Sequence, residues 1–365
     1  MKHGTNKRGL RALSLPCVLL GLWYTVSIKL PVASIANRVA NWQIAHVGET
    51  PDSDSPTGWV RSSFYIGLAQ WAKVSNESRY FDYLRRIGQQ NHWKLGPRIY
   101  SADDQAIAQA YVAAFDRFAD PAMIGPMTKQ FDYILAHKSI GSLEFSADCR
   151  SWCWSDALFM APASWFALAR IKRDSRYRDF ADSEFWTTVA ALFDENESLF
   201  YRDSRYTNQR VFWSRGNGWA FAGLINIINN LSGADAKYKS LLQKMADRII
   251  RLQRADGFWS TSLLTKDNGI QETSGTAFFT YGLAAGIKMG ILDQTTFGGH
   301  ASRGWKALVS ATHDGRLGWV QPIGDRPNFV RGSDTQLFGS GGFLLAASAI
   351  SALPSASVIF PFWTR

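Results

Sequence analysis

The sequence predicts an all-α chain folded as an (α/α)6 barrel, six helical hairpins closed into a toroid, and three observations lead to that class. Aromatic or apolar turns recur at nearly even intervals: ESLFYRD (Glu197–Asp203), DGFWS (Asp256–Ser260) and DGRLGW (Asp314–Trp319) start 59 and 58 residues apart, with looser equivalents at His92–Leu95 and Gly141–Phe145. Periods of this size mark stacked supersecondary units. Between the turns the apolar residues follow the helical period, and no comparable series of alternating strands appears. Dividing the 329 residues beyond position 36 by a spacing of roughly 55 gives about six hairpins, the number that closes a ring. An open solenoid, the alternative, would leave uncapped terminal repeats, whereas the apolar last unit, Phe338–Ile350, is suited to pack against another element.

Taken in order, the helical stretches are Ala106–Phe118, Ala157–Ile171, Ala220–Asn229, Tyr238–Arg254 and Thr276–Met289. Each unit pairs a Gly/Ala/aromatic-rich helix with a more charged one. Tyr238–Arg254 is of the second kind, with Lys239, Lys244, Asp247, Arg248 and Arg251 on its wet side. The first kind faces inward. No Ser/Pro tract, charge block or low-complexity segment interrupts the chain, so residues 37–365 form a single domain.

Residues 1–36 stand apart. Lys2, Lys7, Arg8 and Arg11 precede an uncharged apolar stretch from Leu13 to Ile28, the pattern of a secretory signal. Ser34 and Ala36 suit cleavage before Asn37, and an uncleaved signal anchor is the alternative because the apolar stretch approaches spanning length. A periplasmic or secreted protein follows, touching a membrane only through that anchor. The segment also carries Lys29 and no acid, so the net charge falls from +10 to +5 without it. The remaining basic residues are scattered, with no stripe or nucleic-acid motif, which argues against a nucleic-acid partner. Cys149 and Cys153 are four apart; they either pair in an oxidising compartment or remain buried thiols. The six histidines show no ligand spacing, so neither a metal nor another cofactor is implied.

Aromatic residues make up 14% of the chain, with 15 Trp, and a surplus of flat rings in a soluble domain suits carbohydrate. In SWCWSDALFMAP, Ser151–Pro162, Asp156 lies among Trp152, Trp154 and Phe159, whose apolar walls would keep a carboxyl protonated near neutrality. The competing role is a cap for the helix starting at Ala157. SADDQAIAQAY, Ser101–Tyr111, brings a second carboxylate one repeat earlier, Asp104 or its neighbour Asp103, one of the pair serving as a helix cap. WSRGNGWAFAGL, Trp213–Leu224, offers Arg215 as a planar fork for a carboxylate, Asn217 beside it, Trp213 and Trp219 to stack on a sugar, and Gly216 and Gly218 for close backbone approach. In ETSGTAFFTYG, Glu272–Gly282, Glu272, Thr273 and Ser274 either complete a polar wall or cap the helix from Gly275.

These motifs, in this order, resemble those of the unsaturated glucuronyl and rhamnogalacturonyl hydrolases, glycoside hydrolase families 88 and 105, with the nearer match to family 105. The resemblance spans the chain from about Trp59 to the last helix. It implies an (α/α)6 barrel that removes the terminal 4,5-unsaturated uronic acid left on an oligosaccharide by a polysaccharide lyase, most closely the rhamnogalacturonan type, with ulvan-like or glycosaminoglycan fragments as the alternative substrate. A noncatalytic glycan-binding toroid would keep the tryptophans and Arg215 but tolerate loss of Asp156. The resemblance assigns Asp156 as general acid and base and matches Asp104 to the second essential Asp, with Asp103, Trp154, Trp213, Arg215, Asn217, Trp219, Glu272 and Ser274 around the substrate. One departure stands out: where many members carry a His after the aromatic pair of the outer turn, this chain has Arg202 in LFYRDSRY. Arg202 and Arg205 either favour a further acidic group on the substrate or lie solvated at the surface.

Overall fold

A computed structural model describes Met1 and residues 32–353, apart from 54, 139–140, 147–148, 232–235 and 266–269. The apolar stretch Leu13–Ile28 lies outside the described residues. Among them, twelve helices alternate between an inner and an outer circle. The inner helices are α2 (Trp59–Ser75), α5 (Ala108–Phe118), α8 (Pro162–Lys172), α10 (Ser214–Ile228), α12 (Thr273–Lys288) and α14 (Leu337–Ile350). The outer ones are α1 (32–45), α3 (Ser78–Gln90), α6 (Gly125–Ala136), α9 (Ser175–Leu192), α11 (Ala236–Leu252) and α13 (Gln294–Ser310). Single turns α4 (Ala102–Gln105) and α7 (Ala157–Met160) lead into α5 and α8.

Composition sorts the two circles. Every residue of α12 from Thr273 to Ile287 is buried, whereas α3 buries only Tyr80, Phe81, Leu84 and Gly88 along one stripe. Each inner helix packs on the next, and α14 returns to α2, so the ring closes as the apolar last unit predicts. The closing contact depends on glycine: a Cβ at Gly67 would lie 2.1 Å from the Gly341 carbonyl oxygen, and one at Gly341 would lie 2.2 Å from that of Ser63. The two helices cross backbone to backbone.

Three helix boundaries differ from expectation by more than a residue or two. The stretch Ala157–Ile171 breaks at Ala161, because Pro162 has no N–H to donate and its ring crowds the preceding turn. Gln109 covers the break, donating to the carbonyls of Phe159 at 2.7 Å and Met160 at 3.0 Å. Helices α10 and α12 begin at Ser214 and Thr273 rather than Ala220 and Thr276. Their first turns carry Gly216, Gly218 and Gly275, poor helix formers by themselves, and the tight meeting of the two helices overrides that weakness: a Cβ on Gly275 would lie 2.1 Å from Ser214 Oγ. Helix α1 runs through positions 36 and 37, and its packed face includes Val32, Ala36, Val39 and Ala40. Asn37 is itself anchored, its Oδ1 accepting from Trp71 Nε1 at 2.8 Å and Tyr80 Oη at 2.9 Å.

The recurring turns have a shared task. ESLFYRD forms a two-strand hairpin, β1 (Phe193–Asp194) with β2 (Leu199–Phe200), and continues into a bridge between Asp203 and Trp154. DGFWS leads to the bridge of Ser262 with Trp213. DGRLGW, which contains β4 (Arg316–Leu317) paired with β3 (Thr312–His313), ends with the Trp319 carbonyl accepting from Thr273 N at 2.9 Å. Each turn thus pins the segment that enters an inner helix. That places the motif residues at one rim of the barrel.

Candidate active site

Asp156 sits at that rim, directly before α7, with 9% of its surface exposed. It holds the N-cap position, yet its side chain makes no capping bond, which leaves the carboxylate for other work. Oδ1 accepts from Ser155 Oγ at 3.2 Å, and Oδ2 lies 3.7 Å from Arg202 Nε. Burial raises its pKa above the usual carboxylate range, opposed by the charges of Arg202 and Arg215. Gly216 lets α10 come close: a Cβ there would sit 3.1 Å from Ser155 Oγ and 3.6 Å from Asp156 Oδ1. Gly218 serves helix packing instead, its absent Cβ 3.0 Å from that of Phe278.

The structure places the two neighbouring carboxylates Asp103 and Asp104 differently. Asp104 is tied down by Arg98, which donates from its backbone N at 2.7 Å, Nε at 3.0 Å and Nη2 at 3.1 Å. It closes the loop before α4. Asp103, one residue earlier, is half-buried on α4, which packs against α7. Its carboxyl is pushed up to about 7 by burial and then by the negative charge of Asp156, which outweigh Arg98 and Arg202. The negative charge of Asp156 thus favours the protonated form of Asp103.

Arg202 is the residue that sequence reasoning left between two roles. Its side chain is 13% exposed, with the guanidinium 4.9 Å over the Phe145 ring and 5.7 Å over Trp154. Nη1 donates to Asp203 Oδ2 at 2.7 Å. The bridge between Trp154 and Asp203, with Ser155 N donating to Arg202 O at 2.8 Å, brings the turn beside the Asp156 segment. This pairing is non-local and leaves no periodic signal.

Several residues expected around the substrate have partners inside the protein. Asn217 spends its side chain on backbone, accepting from Phe200 N at 2.7 Å and donating to the carbonyls of Phe200 and Trp213, so it ties β2 to α10. Glu272 caps α12, accepting from Ser274 N, Gly275 N and Ser274 Oγ, which buries Ser274 with it. Trp219 packs against Phe159 and Phe278 inside the ring and is 1% exposed, so no sugar reaches its face. Trp213 is likewise buried, donating from Nε1 to Gln321 Oε1 at 3.0 Å. Arg215 lies between the rings of Trp213 and Phe338 and donates to the carbonyls of Gln321 and Pro322, so its fork is already occupied. Burial lowers its pKa to about 10, and its charge still acts on Asp156. Trp154, near Phe145 and under Arg202, does belong to the rim. A disulfide joins Cys149 to Cys153 on the segment that leads to Trp154.

The comparisons agree with this architecture. The model of Glycosyl Hydrolase Family 88 matches residues 35–353. A protein of Alteromonas sp. (strain LOR) named unsaturated 3S-rhamnoglycuronyl hydrolase is 37% identical over 355 residues, covering 88% of this chain and 86% of that one. A protein of the same name from Formosa agariphila is 33% identical, covering 95% and 99%. Among solved structures, a glycosyl hydrolase of family 88 from Bacteroides vulgatus superposes with a TM-score of 0.80 at 25% identity, over 88% of this chain and 99% of that one.

Proposed function

The chain belongs to Glycosyl Hydrolase Family 88, and from that premise we propose that it removes the terminal 4,5-unsaturated uronic acid from lyase-generated oligosaccharides by hydrating the enol-ether double bond. The observation that carries the reading is the carboxyl pair: Asp156, buried and free of capping duty, beside Asp103, whose proton is held to about 7. Protonating carbon needs a carboxyl that is still protonated near neutrality, and burial of such a pair supplies one.

In the proposed reaction Asp156 gives its proton to C4, and a water adds at C5, returning a proton to the carboxylate. The resulting C5 hemiketal opens the sugar ring, and the hemiacetal then present at C1 expels the remaining saccharide as an alcohol. Arg202 and Arg215 stabilise the carboxylate while it is ionised, and Asp103 orients the water. No metal is required, and the two-carboxylate displacement geometry of ordinary glycosidases does not apply. Two relatives are named for a rhamnoglycuronyl unit; this supports rhamnose as the sugar released, which is common to rhamnogalacturonan-type and ulvan-like fragments.

The test is optical. The conjugated uronate absorbs in the ultraviolet, and hydration erases the band. The purified protein is expected to bleach an unsaturated uronyl–rhamnose disaccharide; a protein that leaves the band of every lyase product intact is not this enzyme.

We further propose a periplasmic or secreted location, supported by the apolar stretch Leu13–Ile28 and by the disulfide between Cys149 and Cys153, which persists in oxidising compartments. Fractionation of the source cells tests it, and recovery of the protein in the cytosol would count against it.

A further inference from the structure

The turn that presents Asp156 stands apart from the helix behind it. Pro162 has no N–H, so the Leu158 carbonyl lacks its helical donor and α7 is left as a single turn, separate from α8. One turn of four residues does not hold its shape by its own hydrogen bonds. Its anchors therefore set where the carboxylate sits. At the front, Ser155 N donates to Arg202 O at 2.8 Å. On the flank, α10 comes so close that a Cβ on Gly223 would lie 2.2 Å from the Leu158 carbonyl oxygen.

The rear anchor is a chain of three neutral side chains drawn from three inner helices. Tyr281 Oη on α12 donates to Asn226 Oδ1 at 2.8 Å, and Asn226 Nδ2 on α10 donates to Gln109 Oε1 at 3.3 Å. Gln109 Nε2 on α5 donates to the carbonyls of Phe159 and Met160 at 2.7 and 3.0 Å. Those same two residues close the turn, Phe159 N and Met160 N donating to the Asp156 carbonyl at 3.0 and 3.3 Å. Gln109 thus holds the residues that hold Asp156. Each bond also fixes the sense of the next: a reversed Gln109 amide would set Oε1 against two carbonyl oxygens and Nε2 against the Asn226 donor. Asn226 and Tyr281 are buried, where so satisfied a chain specifies one arrangement.

We propose that Gln109, oriented by Asn226 and Tyr281, is a positioning residue that fixes α7 and through it the direction in which Asp156 presents its proton. None of the three side chains bonds the Asp156 carboxylate, so their action passes through the turn. The inference rests on the hydrolase function proposed above and adds to it the element that aims the acid. Aim matters because a misplacement of roughly 1 Å costs on the order of 10² in rate.

Gln109→Met keeps the length and bulk of the side chain and removes its amide. On an unsaturated uronyl–rhamnose disaccharide followed by ultraviolet bleaching, kcat per folded molecule is expected to fall about 10- to 100-fold, with KM held within about twofold. Circular dichroism supplies the folded fraction. Tyr281→Phe deletes only the hydroxyl at the far end of the chain, and a smaller fall in kcat of about two- to fivefold is expected, again with KM held. An unchanged kcat in folded Gln109→Met overturns the assignment, as does a raised KM with kcat intact, the mark of a residue that acts in substrate binding. If Gln109→Met does not fold, Tyr281→Phe decides, and wild-type kcat in that variant overturns the proposal. These outcomes leave the hydrolase reading standing. A wild-type protein that bleaches no lyase product overturns that reading, and the positioning role with it.

Discussion

Arg202 Nε stands 3.7 Å from Asp156 Oδ2, and the same guanidinium is bonded at 2.7 Å to the buried carboxylate of Asp203. A cation fixed beside a buried acid sets the pH at which that acid gives up its proton. Asp103 works in the other direction. Repulsion within the carboxyl pair favours the protonated form and Arg202 the ionised one, so the balance between them is open to mutation.

The pH profile follows from that balance. The acid must be protonated to act, and burial raises the Asp156 pKa above the usual carboxylate range, so kcat/KM is expected to fall on an alkaline limb displaced upward from that range. Arg202→Gln removes the charge that lowers the Asp156 pKa, and its alkaline limb is expected to move to higher pH. Asp103→Asn removes the repulsion, and its limb is expected to move to lower pH. Profiles of both variants against the wild type check the two signs; shifts in the same direction would contradict this balance of charges.

Asp156→Asn keeps the shape of the site and removes the proton. A loss of about 10²–10⁴ in kcat is expected, the usual contribution of a general acid, with KM little changed. Stopped bleaching assays with circular dichroism as a fold control measure it.

Asp104→Asn distinguishes the neighbouring acid. Three donors from Arg98 converge on its carboxylate, so the expected effect is a loss of about 1–3 kcal/mol in stability, with the pH profile of the active protein moved less than Asp103→Asn moves it. Urea unfolding and the profile together decide it.

Glu272→Ala strips the cap from α12 and leaves Ser274 N and Gly275 N buried without their acceptor. A destabilisation of about 1–3 kcal/mol is expected, read from urea midpoints.

Ring closure is tested by Gly67→Ala. The added methyl meets a backbone carbonyl at 2.1 Å, which no rotamer can relieve, so the helices must part at a cost of about 1–3 kcal/mol or more. Thermal unfolding should show it. An unchanged midpoint would mean that α2 and α14 do not meet as described.

The fold was legible because its signals repeat. Turns of one type at one spacing, and helices whose composition divides into apolar and charged kinds, pointed to stacked hairpins, and the apolar Phe338–Ile350 pointed to closure. The first turns of α10 and α12 were hidden because Gly216, Gly218 and Gly275 weaken local propensity, and only the neighbouring helix supplies the reason for them. The burial of Asp156 was legible from its indole and apolar neighbours. The choice between Asp103 and Asp104 was not, since adjacent helical residues point about 100° apart and the loop residue Arg98 that claims one of them follows no period. Asn217 and Glu272 carry side chains equally able to bind a sugar or a backbone amide; their partners Phe200 and Gly275 decide which. Arg202 reaches Asp156 only through the distant pairing of Trp154 with Asp203, and nothing local announces it.

The meeting of α2 with α14 also constrains how the protein is made. The neighbour that covers one flank of α2 is the last inner helix to leave the ribosome, so that flank waits, uncovered, through nearly all of synthesis. Growth hairpin by hairpin yields an arc whose two ends stay sticky, and a chaperone able to shield α2 would shorten the interval in which such arcs meet one another. Competence therefore arrives in a single late step, when residues 337–350 slot home.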